Sequence, residues 1–275
     1  MSKSNEDQPG NIEKNSYPED SAEATSFILN KHGGYLYSLG LKFCGSTSEA
    51  EDLVQETMLQ VFRNWDSFRF DSKVRTWLYT IAARVCQRMK RKKSGEPSQM
   101  ESLELLLPLG ESSFAKTKDE ISNQELDALK KRSIEKIEDG ISRLPLDFRM
   151  PLVLKDIVGL SLAEISKIME MELGTVKSRI HRARLRLRKI VDSELPRMES
   201  VPPAVQYPIQ VCIDLLNAKQ SAIDNNVPFA TEVICLRCQS VFDSLDVTYD
   251  ICLMLAEDHI PKGLQEKILR SISKE

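Results

Sequence analysis

From Val176 onward, apolar residues (Val176, Ile180, Ala183, Leu187 and Ile190) recur at intervals of four, three, four and three. That period belongs to a helix with one face turned inward, because side chains three and four apart lie on the same side of an α-helix. Upstream, Ser161-Leu162-Ala163-Glu164 has the spacing of a capping box and opens a short helix with Ile165, Ile168 and Met169 inward. Gly159 breaks the chain before it, Gly174 makes the turn after it, and Thr175 caps the longer helix. A short helix, a tight turn and a longer basic helix make a helix-turn-helix, whose second helix enters the major groove of duplex DNA. A plain helical hairpin has the same outline, but basic residues flanking the stripe on both sides favour the DNA-binding form.

Two further stripes have the same period. Ser48-Glu49-Ala50-Glu51 reads as a capping box for a helix carrying Leu53, Val54, Met58, Val61, Phe62 and Trp65 on one face. A second helix from about Lys73 carries Trp77, Leu78, Ile81, Ala82, Val85, Cys86 and Met89, and Ser94-Gly95-Glu96-Pro97 stops it. Aromatic residues make up 6% of the chain, and 11 Gly with 12 Pro in 275 residues is sparse turn punctuation for a β-rich fold. The expected fold class is all-α.

The net charge of −3 conceals a partition. Arg84–Lys93 holds six basic residues and no acid, and Lys177–Lys189 holds seven and no acid. Ser94–Gly140 has 11 acids against 6 bases, and Asp192–Glu275 has 13 against 7. Two basic runs, each beside an apolar helical stripe, suit two contacts with a polyanion, because neutralising phosphates releases counterions. No apolar run approaches the ~20 residues that span a bilayer, and the first 20 residues lack the apolar core of a secretory signal, so a cytoplasmic protein without membrane contact is expected. Six cysteines are too few for a disulfide scaffold and read as thiols.

The expected organisation is a disordered tail over 1–20, a helical domain over 21–94 and a flexible linker over 95–125. A second helical domain over 126–195, a Pro-rich linker over 196–208 and a small helical Cys-containing module over 209–275, expected to regulate the rest of the chain, follow.

Glu49-Ala50-Glu51-Asp52-Leu53-Val54-Gln55-Glu56-Thr57 and Arg75-Thr76-Trp77-Leu78-Tyr79-Thr80-Ile81-Ala82 closely resemble region 2 of the extracytoplasmic-function (ECF) sigma factors of bacterial RNA polymerase. Leu144-Pro145 through Arg149, Gly159-Leu160-Ser161, Glu164-Ile165 and Gly174-Thr175-Val176-Lys177-Ser178-Arg179-Ile180-His181-Arg182-Ala183-Arg184 resemble region 4. The two matches stand in the family's order and together cover about Ser21–Val191. The resemblance implies a region 2 helical bundle and a region 4 helix-turn-helix. It implies a non-enzymatic factor that binds core polymerase through the β′ clamp coiled-coil and the β subunit, recognises promoter DNA and melts it. An anti-sigma factor is a further partner the family suggests.

By the same resemblance, Glu49, Glu51, Asp52, Gln55 and Glu56 form the polymerase-docking surface, although acids at a helix N-terminus are also favoured by its dipole. The −10 element falls to Phe68, Arg69 and Phe70, where the family holds a flipped base, and to the ladder Arg84, Arg88 and Arg91. Phe68 reads equally well as a core anchor, and Trp77 reads as core. The −35 element falls to Thr175, Lys177, Ser178, Arg179, His181 and Arg182, while Arg184, Arg186, Arg188 and Lys189 are expected at phosphates or in solvent. The chain carries no nucleophile–base constellation, Walker loop or zinc-protease motif, so no catalysis is expected. An autonomous helix-turn-helix regulator acting without polymerase is the alternative.

Cys212-Ile213-Asp214-Leu215-Leu216 followed by Cys235-Leu236-Arg237-Cys238 looks like the zinc-finger fold of anti-sigma factors, with Thr231 standing where that pattern has its histidine. No cofactor is required by this reading. Zinc or another thiophilic metal at Cys212, Cys235 and Cys238, with Cys252 or His259 as a further ligand, or redox sensing by these thiols, stands beside two alternatives: buried inert thiols and an anti-sigma-like interaction surface. Cys86 lies on a core stripe and Cys44 precedes a cap, so neither is expected to carry function.

Overall fold

The computed structural model describes residues 16–91, 106, 116, 120–197, 207–231, 234–255 and 260–272. Residues 1–15 of the expected tail, most of the 95–125 linker, residues 198–206 of the Pro-rich linker, the stop at Ser94–Pro97 and His259 lie outside the described residues. Ten helices are described: α1 (Ser21–Cys44), α2 (Thr47–Asn64), α3 (Val74–Arg91), α4 (Asn123–Arg143), α5 (Leu146–Leu152), α6 (Leu162–Met169), α7 (Leu173–Glu194), α8 (Ile209–Asn225), α9 (Leu236–Met254) and α10 (Lys262–Ile272). No strand occurs among the described residues, in agreement with the all-α expectation. The chain forms two compact units, residues 1–97 with 257–275, and residues 98–256. The segment 209–275 is divided between them: α8 and α9 help build the second unit, and α10 belongs to the first.

In the first unit, Asp20 caps α1 by accepting from the Ala22 and Glu23 amides at 3.0 and 2.9 Å. Gly45, at φ 85°, ends it in the left-handed conformation that glycine adopts without strain. The cap of α2 is Ser46 rather than Ser48: its hydroxyl accepts from the Glu49 amide at 3.3 Å. The turn at Gly45 leaves Ser46 extended, so the helix begins two residues earlier than its Ser48–Glu51 spacing suggests. Ile28, Leu36 and Phe43 of α1 interleave with Leu53, Met58 and Val61 of α2 and Leu78, Ala82 and Val85 of α3 to form the core. The α1–α2 crossing is close because Gly40 has no side chain; a Cβ there would stand 3.0 Å from the Ala50 Cα. On this bundle α10 packs against α1 and α2, burying Leu264, Ile268 and Ile272. Tyr17, expected in the disordered tail, is buried here, with its hydroxyl 3.1 Å from His32 Nε2 and its ring edge-on to Phe27.

In the second unit, α4, α5 and α6 surround α7, and α9 packs across α4 and α7. The Ser161–Glu164 capping box forms as expected, and Gly159 takes a φ of 81° at the break. The start of α7 differs from expectation. The helix begins at Leu173, so Gly174 and Thr175 lie inside its first turn and Glu172 takes the cap position. Pro151, which lacks an amide hydrogen, sits inside α5, and the chain continues through a π-helical turn at Val153–Ile157. That wider turn carries Asp156, which is buried toward α7.

Candidate nucleic-acid interface

Helix α7 has two characters along its length. At its N-terminal end Thr175 and Ser178 are exposed and Lys177, Arg179 and Arg182 are half-buried. Arg179 pairs with Asp147 at 3.5 Å, and the guanidinium groups of Arg179 and Arg182 lie 5.8 and 5.2 Å from the Phe148 ring. Stacked guanidinium groups lose little freedom when they meet a flat or anionic partner. These five residues form a polar, largely basic end aimed away from the core.

Further along, one face of the same helix is enclosed, while Arg186 stays exposed and Lys189 half-buried. His181, expected at the DNA, is buried, and its Nε2 lies 2.9 Å from Asp224 Oδ2 on α8. Arg184, expected at phosphates or in solvent, is 2% exposed. It donates to both oxygens of Asp156 at 2.8 and 2.6 Å, and its Nη1 stands 2.8 Å from Asp224 Oδ1. Arg188 is also buried and pairs with Asp192 one turn on. A buried cation is tolerated only when charge and hydrogen bonds compensate it, and Arg184 has two carboxylates. Burial acts to lower its pKa, but the Asp156 and Asp224 charges outweigh burial and hold the guanidinium protonated. At Asp224 burial would raise the pKa; the His181 hydrogen bond and the Arg184 charge reverse this and keep the carboxyl below its ordinary value.

In the first unit an aromatic cluster gathers at the α2–α3 junction. Phe68 stacks on Trp77 with ring centroids 4.4 Å apart and planes at 19°, and Phe68 and Phe70 stand 4.6 Å apart. Phe70 takes a φ of 58°, a strained region for a bulky side chain. Trp65 is buried beneath them and donates from Nε1 to the Pro18 carbonyl at 3.1 Å. Tyr17, Pro18, Glu19, Trp65, Asp66, Phe68 and Phe70 line a cleft of about 590 Å³. Phe68 and Trp77 are both half-buried, so neither is a pure core anchor. Arg69 is exposed beside the cleft. Arg84 and Arg88 are exposed on α3, Arg88 pairing with Glu56 at 3.3 Å, and the Arg91 side chain lies outside the described residues. On α2, Asp52 is exposed, Glu51 and Gln55 are half-buried, and Glu49 pairs with Lys90 at 3.0 Å. The sequence reading missed the 17–19 wall of the cleft, since Trp65 meets Pro18 across 47 residues with no local signal.

The thiols of the second unit are partly assembled. Cys212, Cys235 and Cys238 share one apolar cluster with Leu185, Leu216, Val241, Phe242 and Leu245. Burial, reinforced by the neighbouring Cys235 and Cys212, pushes the Cys238 thiol far above its ordinary pKa. Cys252 is elsewhere on α9, raised first by complete burial and then by the Asp156 charge. Fourteen residues from Cys238 is about 21 Å along a helix, so Cys252 does not complete a ligand set with Cys238. Metal binding needs deprotonated thiolates and a closed site needs four ligands. Among the described residues, which leave out His259, no group of three His, Cys, Asp or Glu side chains is set to hold a metal ion.

Residues 28–96 match the family described as Sigma-70 region 2, and residues 134–187 match Sigma-70, region 4. The ECF RNA polymerase sigma factor SigW of Bacillus subtilis is 34% identical over 173 residues, which cover 61% of this chain and 88% of SigW. The chain belongs to the ECF RNA polymerase sigma factors. The ECF RNA polymerase sigma-E factor of Escherichia coli K12 is 36% identical over 138 residues, covering 50% of this sigma factor and 71% of that protein. The sigma factor RpoE of Bartonella quintana, solved in complex with the anti-sigma factor NepR, is similar over 60% of this chain and 94% of its own. Its identity is 22% and the TM-score 0.43. The relatives are RNA polymerase sigma factors, a family that is not an enzyme class, and the autonomous-regulator alternative is set aside. Among the described residues no helix of this sigma factor is long and apolar enough to cross a membrane.

Proposed function

We propose that this sigma factor binds core polymerase through the exposed face of α2 and reads its promoter with two separate surfaces. Asp52, Glu51, Gln55 and Glu56 present the polar face of α2 to the polymerase clamp, with Glu49 fixed by Lys90 at its edge. Unstacking a base from the −10 region costs a few kcal/mol, which stacking and hydrogen bonding offset. The cleft walled by Phe68, Phe70 and Trp65 offers the apolar faces, and Glu19 and Asp66 offer acceptors for a base edge that carries an amino group. Arg69, Arg84 and Arg88 supply cations for the adjoining phosphates.

At the −35 element, Thr175, Lys177, Ser178, Arg179 and Arg182 enter the major groove from the first turns of α7, where recognition helices present their side chains. The observation that carries this reading is the division of α7 into an outward polar end and a remainder enclosed on one face. His181 then acts within the protein rather than at the bases, and α8 and α9 support the recognition helix from behind. An anti-sigma factor is a further partner in this reading.

Run-off transcription with full-length protein, purified bacterial core polymerase and a genomic fragment library tests the proposal. Discrete start sites that depend on the protein, and that weaken on Arg179→Ala or Phe68→Ala, are expected. Start sites insensitive to both substitutions would refute the surface assignments.

A further inference from the structure

Two cysteines for which the sequence suggests no function meet in the structure. Cys44 is the last residue of α1, Cys86 lies in the middle of α3, and their sulfurs are 3.5 Å apart. Both are buried, Cys44 at 5% exposure and Cys86 at 0%. A disulfide bond is about 2.05 Å long, so the pair needs roughly 1.5 Å of closure. The backbone at Cys44 is placed to give it, since the helix ends there and Gly45 turns the chain away in the left-handed conformation.

A second observation singles out this pair. Lys90, one turn beyond Cys86 on α3, donates to the Cys44 carbonyl at 3.1 Å and to both oxygens of Glu49 at 3.1 and 3.0 Å. The thiolate is the nucleophile in disulfide exchange. The same bridge joins the cysteines to the docking helix, because Cys44, Gly45 and Ser46 are the segment that starts and caps α2.

We propose that Cys44 and Cys86 are a modification site that forms an intramolecular disulfide on reaction with a small-molecule disulfide and thereby weakens polymerase docking. The second half rests on the assignment of α2 as the docking surface. The Cys44 thiolate, the more accessible of the two, attacks one sulfur of the oxidant and releases one small thiol. The Cys86 thiolate then attacks Cys44 Sγ in the mixed disulfide and releases the second. The pair loses two protons and two electrons, and the oxidant leaves as two thiols. Closure draws the end of α1 onto α3 and moves the Cys44–Ser46 segment, against which Lys90 holds Glu49.

The test uses the full-length protein and oxidised glutathione. After alkylation and tryptic digestion without reductant, a peptide joining residues 43–63 to residues 85–88, two hydrogens lighter than their sum, is expected. Affinity for core polymerase, measured after the oxidant is removed, should fall about fivefold or more, the scale of a coupling between linked sites, and return with dithiothreitol. Cys86→Ala, and Cys44→Ala as a second variant should the first fold poorly, should bind core polymerase like the reduced protein and ignore the oxidant. A stable glutathione adduct on Cys44 without the joined peptide would overturn the proposal, and so would a joined peptide with unchanged affinity. Failure of the reduced protein to bind core polymerase would remove the docking assignment, while the joined peptide would still decide whether the site exists.

Discussion

Replacing Asp224 with Ala removes one of the two carboxylates that compensate the Arg184 charge and the partner of His181. Orphaning a buried charge entirely is worth about 3–5 kcal/mol. Arg184 keeps both Asp156 contacts, so the expected loss is at the lower end, about 3 kcal/mol. For a unit of this size that lowers its unfolding midpoint by about 6–12 °C. Calorimetry of the full-length protein at pH 7 measures it, with Asp139→Ala as the comparison. Asp139 pairs with Arg143 on the surface, with both side chains more than half exposed, and its loss should change stability by less than about 0.5 kcal/mol. The folded pKa of Asp224 lies below its unfolded value, so its stabilisation is fully present above about pH 4 and is lost as pH falls through the folded value. The variant and the natural protein should therefore converge in acid. A midpoint shift under about 2 °C at pH 7, or a gap that persists unchanged into strong acid, would refute the role assigned to the Asp156–Arg184–Asp224 bridge.

Gly140→Val should also destabilise the second unit, because a Cβ there would stand 2.3 Å from Ile190 Cδ1 and 3.0 Å from Leu187 Cδ2. Overpacking of this kind costs about 1–3 kcal/mol, and a urea titration reads it. Phe68→Ala should weaken binding to single-stranded −10 DNA by about 1–3 kcal/mol, the worth of one stacked base. Fluorescence anisotropy measures this, and duplex −35 binding should remain unchanged.

The stripe Val176, Ile180, Ala183, Leu187 and Ile190 locates α7 because aliphatic side chains have one preferred surrounding. His181, Arg184 and Arg188 form a second inward line on the same helix, and their sequence signature is that of a solvated or DNA-facing cation. What reverses their environment is Asp156, brought by a π-helical turn, and Asp224, 40 residues beyond Arg184. Neither is marked by local pattern; the one nearby hint is Asp192, a helical turn after Arg188. The polar end of α7 is legible for the opposite reason, since Thr175 and Ser178 stay exposed there. The displaced cap of α2 comes from the Gly45 turn, and the Cys44–Cys86 meeting depends on the close packing of three helices. Spacing along the chain reports the repeat within a helix, while the partner across an interface is set by the crossing of helices.

The contact between α10 and the first bundle joins residues at opposite ends of the chain, with Gln265 hydrogen-bonded to Asn30 across 235 positions. During synthesis the ribosome completes α3 with more than 180 residues still to add. At about 5–20 residues per second, the bundle waits roughly 10–40 s for the helix that covers α1 and α2. Throughout that interval the apolar surface destined for Leu264 and Ile268 is open to chaperones and to other nascent chains. A message that stops early would yield a protein with α2 intact and that surface permanently uncovered.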